Sequence, residues 1–282
     1  MKICLDAGHY AKYNRSPGIP EYWESERMWK LTELLAAALL KKKGVTVLKT
    51  RTNQAVDMAL VDRGKASKGC DLFLSIHSNA VGNGMNESVD YPVAYVMLDG
   101  SSTDIGLKLA EIVQKHMGTT QKARTATRAG TSGNEYYGVL RGAKIVGVPG
   151  VILEHSFHTN TKATKWLLSD DNLKKLAEDE AVCIVDWLKK KASTSPTKPT
   201  TSHKVEDALW FSKDYKKAYT VNASGLNMRT GAGDNKTVIK VLHRGDKFTC
   251  YGYFNKTNNG SVWLYGVDKT GQTGYCSKYY LK

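Results

Sequence analysis

One stretch decides how this chain can fold. Ala192–Ser202, ASTSPTKPTTS, holds two prolines and no large apolar residue, so it cannot pack into a core. It divides the 282 residues into pieces of different texture. A domain is predicted over 1–191, a flexible tether over 192–204 and a second, smaller domain over 205–282.

Before the tether, strand and helix patterns alternate. Strands are predicted at Ile3–Leu5, Val45–Lys49, Leu72–Ile76, Pro92–Leu98, Val139–Leu140 and Val151–Leu153. Helices are predicted at Ser25–Lys43, Val56–Lys68, Thr103–His116 and Asp170–Lys190. That order implies an α/β fold, a mostly parallel sheet covered by helices. After the tether the pattern is AYTV, KVLHRGDKFTCYGYF, VWLYGV and TGYCSKYYL, separated by Ala-Gly, Asn-Gly and Thr-Gly turns. This predicts a small all-β barrel, with a trace of helical pattern only over Val205–Phe211.

Composition narrows the function classes. With 41% hydrophobic and 24% charged residues the chain is neither largely disordered nor membrane-spanning. Its longest apolar run, Leu34–Leu40, is far short of the ~20 residues a bilayer span needs. Net charge is +14, and residues 193–282 hold 14 basic and 6 acidic side chains against 27 and 21 in residues 1–192. The excess in the smaller piece suggests a polyanionic surface as partner. A nucleic acid is not expected, because no recognition helix or RNA-binding motif occurs. The opening MKICLDAGHY has no room for a signal peptide's apolar core, so synthesis in the cytoplasm without an export signal is expected. Five cysteines at long spacings, with no C-x-x-C, read as small buried apolar residues.

In parallel sheets, ligands sit outside the carboxyl ends of the strands. Three predicted strands end in ionisable residues: Ile3–Leu5 leads through Asp6, Ala7 and Gly8 into His9, Leu72–Ile76 into His77, and Val151–Leu153 into Glu154. Burying a carboxylate beside two imidazoles is costly unless something compensates, and a divalent metal does so. Two His and one carboxylate with an open fourth position make a catalytic zinc site. Glu24 precedes Met28, Leu31 and Leu35 by four, seven and eleven residues, which puts it on the apolar stripe of its helix, facing inward. Glu26 lies about 200° round the helix on the wet face and is the second choice as ligand. The competing reading is a pair of structural histidines hydrogen-bonded in the core.

The segments DAGH (Asp6–His9), Thr50-Arg51, Arg63–Ala80 with its CDLFLSIHSNA end, and PGVILEHSFHTN (Pro149–Asn160), in this order, resemble the type 3 zinc-dependent N-acetylmuramoyl-L-alanine amidases. That family includes phage lysins and autolysins, and the resemblance covers about residues 1–190. It implies one zinc ion held by His9, Glu24 and His77, with Glu154 as the catalytic carboxylate. The chain departs from the commoner pattern after Glu154, where His155 and His158 replace a small residue and an aliphatic one. Strand alternation turns His155 away from Glu154 and makes it structural. His158, in the following loop, is a candidate to line the substrate groove, and Asn79 a candidate to orient substrate. Arg51 and Arg63 read as ion-pair or carbonyl-binding residues.

Gly225–Gly233 (GLNMRTGAG), Val241–Gly245, Trp263 and Gly274–Tyr275 resemble a bacterial SH3-type domain. Such modules are often appended to wall hydrolases, and its surplus of aromatics, Tyr251, Tyr253, Phe254, Trp263, Tyr265, Tyr279 and Tyr280, suits a surface groove. The partner so implied is bacterial peptidoglycan of a Gram-positive wall, with anionic wall polymers as a further candidate. A zinc peptidase cutting within the stem peptide, or a catalytically inactive wall-binding protein, are the competing functions.

Overall fold

The computed structural model describes residues 1–82, 84–194 and 205–282, the side chains of 192–194 excepted. The chain forms two compact units, Met1–Ser195 and Pro196–Lys282.

In the first unit six strands make one sheet: β1 (Lys2–Ala7), β2 (Thr46–Lys49), β3 (Leu72–Asn79), β4 (Val93–Val96), β5 (Arg124–Ala126) and β6 (Gly150–Phe157). Their order is β2-β1-β3-β6-β4-β5. Every pairing is parallel except β4 with β6. The central strands are buried on both faces because helices cover both, which is why they read as continuous apolar runs rather than alternating ones. Side chains nonetheless sort by parity. Ile3, Leu5, Leu72, Leu74, Val151 and Leu153 face a core shared with α1 (Glu24–Leu40), α3 (Thr103–Met117) and α6 (Asp170–Thr194). Cys4, Phe73 and Ile152 face the other way, toward α4 (Gly138–Ile145).

On that second face α4 packs against α2 (Leu60–Lys65) at backbone contact. A Cβ on Gly64 would collide with the Val139 carbonyl, and one on Gly142 with the Val61 carbonyl. Only glycine permits this approach.

Four elements differ from expectation. Val139–Leu140, read as a strand, lies in α4, whose buried residues Val139, Leu140 and Ala143 follow a helical period. The helix expected at Val56–Lys68 is only α2. The helix α5 (Thr161–Leu168) was not foreseen, although Asn160 caps it by accepting from Ala163 N at 3.0 Å. Strand β5 was not foreseen either. Of the expected tether, 192–194 continue α6 and 195–204, with His203, lie outside the described residues.

The second unit is a six-stranded antiparallel sheet of order β7-β10-β11-β12-β8-β9. Its strands are β7 (Trp210–Thr220), β8 (Leu226–Arg229), β9 (Val238–Leu242), β10 (Lys247–Lys256), β11 (Val262–Asp268) and β12 (Thr273–Ser277). Met228, Phe248, Leu264 and Cys276 fill its own core. The end of the Val205–Phe211 segment is strand rather than helix. All five cysteines are unpaired, and all but Cys183 are buried. No helix among the described residues is long and apolar enough to cross a membrane.

Candidate active site

The strand ends meet as the sequence predicts. Gly8 N donates to Ile76 O at 2.9 Å, and a Cβ on Gly8 would lie 2.6 Å from the His77 ring. The bare backbone of Gly8 is therefore the floor on which the His77 imidazole rests. His9 follows with φ 57°, a left-handed turn that swings its ring back over the sheet edge. The loop from His9 is laced to the start of α1: Ser25 Oγ donates to Ala11 O at 2.7 Å and accepts from Tyr13 N at 2.9 Å. Glu24 N donates to Asn14 O at 2.9 Å. That lacing brings His9 and Glu24, fifteen residues apart in sequence, into contact.

Glu24 is the first residue of α1 and 1% exposed, whereas Glu26 faces solvent. Its Oε1 lies 2.9 Å from His77 Nδ1 and accepts from Ser78 N at 3.2 Å. Its Oε2 lies 3.3 Å from His9 Nε2 and accepts from Asn14 Nδ2 at 2.7 Å. Burial pushes the Glu24 carboxyl up, but its bonds to His77 and His9 outweigh this and hold it well below the ordinary range. Glu154 is paired in register with His77, so both side chains leave the sheet on the same face. Burial, and then the charge of Glu24, raise the Glu154 carboxyl well above the ordinary value.

Behind these groups stand residues to which sequence reasoning gave no role. Asp6 is fully buried, accepting from Thr50 Oγ1 at 2.6 Å and from Ser75 Oγ at 2.8 Å. Ser75 has spent its one proton on Asp6, so at 3.2 Å its oxygen accepts the Nε2–H of His77. The His77 ring is thus held between the Ser75 hydroxyl at Nε2 and the Glu24 carboxylate at Nδ1. Asn14 Nδ2 bridges Glu24 and, at 3.0 Å, His9 Nε2. An Asp and a Ser inside otherwise apolar strands were the available signal, because buried polar groups need partners. Asn14 gave none. Arg51 and Arg63 both donate to Ala7 O, and Arg63 Nη2 also bonds Asp57 at 2.9 Å. They fasten the end of β1, as carbonyl binders do.

Two expectations about the groove separate here. Asn79 ends β3, half-exposed, on the face of His77. His158 does not line a groove: it is 3% exposed, its Nδ1 lies 3.0 Å from Ser78 Oγ, and its ring stacks on the buried Tyr22. Buried depth, invisible in a loop sequence, makes it a packing residue beneath the site.

The donor atoms of His9, Glu24 and His77 all lie within 4.8 Å of one another. Two imidazole nitrogens and a carboxylate form a zinc-type donor set that leaves a coordination position open. Glu154 Oε2 is buried without a hydrogen-bond partner among the described residues. An orphaned carboxylate oxygen beside two imidazoles and a second carboxylate is a cost that a cation or its water offsets. These residues fit a divalent cation.

In the second unit, Tyr251, Tyr253, Tyr279 and Tyr280 are exposed, whereas Phe254 and Trp263 belong to the interior and Tyr265 is half-buried. An open cleft of about 1250 Å³ runs past Glu206, Arg229, Lys236, Asn255 and Tyr279.

A sheet domain bearing imidazoles and carboxylates at its strand ends is followed by a small β module: a two-domain protein with a candidate metal site. The family profile described as N-acetylmuramoyl-L-alanine amidase matches residues 3–186, and that of the bacterial SH3 domain residues 224–282. This chain belongs to the N-acetylmuramoyl-L-alanine amidase family and carries a bacterial SH3 domain. Its first unit is similar in fold to an N-acetylmuramoyl-L-alanine amidase from Clostridium difficile 630, with 20% identity over 67% of this chain and 97% of that chain and a TM-score of 0.57. The catalytic domain of CwlV, from Bacillus (Paenibacillus) polymyxa var. colistinus, shares 20% identity over 67% and 98% of the chains, TM-score 0.53. AmiC2 of Nostoc punctiforme shares 23% over 67% and 97%, TM-score 0.52. Comparison with curated proteins finds no match.

Proposed function

We propose that this protein hydrolyses the amide between the lactyl group of N-acetylmuramic acid and L-alanine in peptidoglycan, served by one zinc ion held by His9, Glu24 and His77. When bound, that ion supplies Lewis-acid activation of a water and of the scissile carbonyl. Glu154 is the catalytic carboxylate. It takes a proton from the attacking water and returns it to the departing alanine nitrogen. Asn79 uses its side-chain carbonyl on Ala80 N at 2.8 Å, which leaves its amide N–H groups as donors for a substrate carbonyl. The SH3 domain, basic and rich in exposed tyrosine, holds the enzyme on the wall and raises its local concentration there.

The observation that carries this reading is the convergence of His9, Glu24 and His77 with Glu154 in register beside them. The test is digestion of purified wall by the native protein, by Glu154→Ala and by chelator-treated protein, with the products read by mass spectrometry. Lactyl carboxyls on intact glycan and peptides beginning with free alanine are expected from the native sample alone. Cleavage within the stem peptide, or undiminished lysis in both perturbed samples, overturns the proposal.

A further inference from the structure

Glu154 and His155 leave β6 on opposite faces. His155 points with Val151 and Leu153 into the core shared by α1, α3 and α6, and there it meets Glu180 of α6. Both side chains are 0% exposed, and His155 Nε2 lies 3.0 Å from Glu180 Oε1. The other ring nitrogen, Nδ1, lies 2.9 Å from the backbone carbonyl of His77. A carbonyl only accepts, so Nδ1 donates, and one proton is shared between Nε2 and the carboxyl group. The chain α6–Glu180–His155–His77 thus ties a helix through β6 to the backbone of β3 at the residue placed here as a metal ligand.

The tie falls where the pairing of β3 with β6 is interrupted. His77 pairs with Glu154, but the next pair is Asn79 with Phe157, so β6 carries an extra residue at this point. Ser156 absorbs it with φ 57°. Beyond His77 and Glu154 the register of the two strands is no longer set by a regular ladder. A buried acid–imidazole pair is also a poor choice if stability alone is at stake, since apolar side chains of similar volume there are as good or better. Glu180 Oε2 even stays unpartnered among the described residues.

We infer that His155 and Glu180 are positioning residues, a buried brace that holds the backbone of His77 at a set distance from Glu154 and so tunes both metal affinity and turnover. The inference rests on the amidase reading above, and its test keeps the two apart. The full-length protein, His155→Leu, Glu180→Leu, the double leucine variant and Glu180→Gln are stripped of metal. Zinc affinity is measured against a chromophoric chelator, and the visible spectrum of the cobalt(II) form is recorded. Melting temperature, kcat and KM on a soluble muropeptide follow.

Each single leucine variant is expected to weaken zinc binding by roughly 10- to 100-fold and to alter the cobalt spectrum. kcat falls while KM moves by less than about twofold. Glu180→Gln, whose amide still pairs with Nε2, recovers most of the affinity lost in Glu180→Leu. The double leucine variant melts near or above the native temperature yet keeps the weakened metal binding, which separates positioning from stability.

A folded double variant with native zinc affinity and native kcat overturns the brace. Should the leucine variants not fold, His155→Gln decides in their place: its amide can reach only one of the two partners, and unchanged zinc affinity overturns the inference. Native protein that binds no metal and cleaves no muropeptide overturns the amidase reading and the brace with it. Native protein that does both, with variants that match it, overturns the brace alone.

Discussion

Ser75 presents its hydroxyl oxygen to His77 Nε2 at 3.2 Å, and that contact decides which imidazole nitrogen faces Glu24. Asp6 sets the direction by taking the Ser75 proton. Ser75→Ala removes the restraint on the ring and leaves Asp6 one donor short. Zinc affinity should fall by roughly 10- to 100-fold in a chelator competition, and the metal-free protein should lose about 1–3 kcal/mol in denaturant unfolding.

Glu154→Gln preserves shape and removes the proton acceptor. Amide hydrolysis should fall by roughly 10²- to 10⁴-fold, while zinc affinity stays close to native, because Glu154 is not among the three residues proposed to hold the metal. A loss of metal in this variant would move Glu154 into the ligand set.

Acid unfolding of the SH3 domain should depend on Asp268. Its side chain is 1% exposed and bonded to Lys240, to Thr270 N and Oγ1 at 2.8 and 2.7 Å, and to Gln272 N at 3.0 Å. Burial pushes its carboxyl up, but these bonds, that to Lys240 foremost, outweigh it and hold the group at about 2 against an ordinary 3.8. A depressed carboxyl stabilises the fold fully above its unfolded pKa and loses that contribution as pH falls through the folded value. NMR signals of residues 205–282 should therefore report about 2 kcal/mol lost between roughly pH 5 and pH 2. Asp268→Asn should be less stable at neutral pH and flatten the pH dependence.

Gly142→Ala forces a methyl group into the Val61 carbonyl. The α2–α4 contact must open, so urea unfolding of the first unit should be easier by about 1–3 kcal/mol or more.

Separating the pieces tests the division of labour. Residues 1–191 alone should cleave soluble muropeptides at a native rate and sediment poorly with walls. Equal wall retention by that fragment would remove the targeting role from the SH3 domain.

His9, His77 and Glu154 were legible because a buried parallel strand that ends in an ionisable side chain has few reasons to do so, and Glu24 because helical phase turned it inward. Their support was harder to see. Asn14 belongs to an irregular loop whose hydrogen bonds no periodicity reports. The loop position of His158 suggested access that its depth denies. Val139–Leu140 failed for a simpler reason: two apolar residues fit either a strand or a buried helix, and only the backbone contact at Gly64 and Gly142 settles it. The α5 cap, Asn160, was in plain view but sat inside a motif already absorbed by the strand before it.

β6 enters the sheet between β3 and β4, strands made long before it. Until Gly150–Phe157 leaves the ribosome, the nascent chain holds two sheet fragments with nothing to join them, and His9, Glu24 and His77 wait without Glu154. One late strand thus zips the halves together, and the same insertion that completes the hydrophobic interior brings Glu154 beside His77.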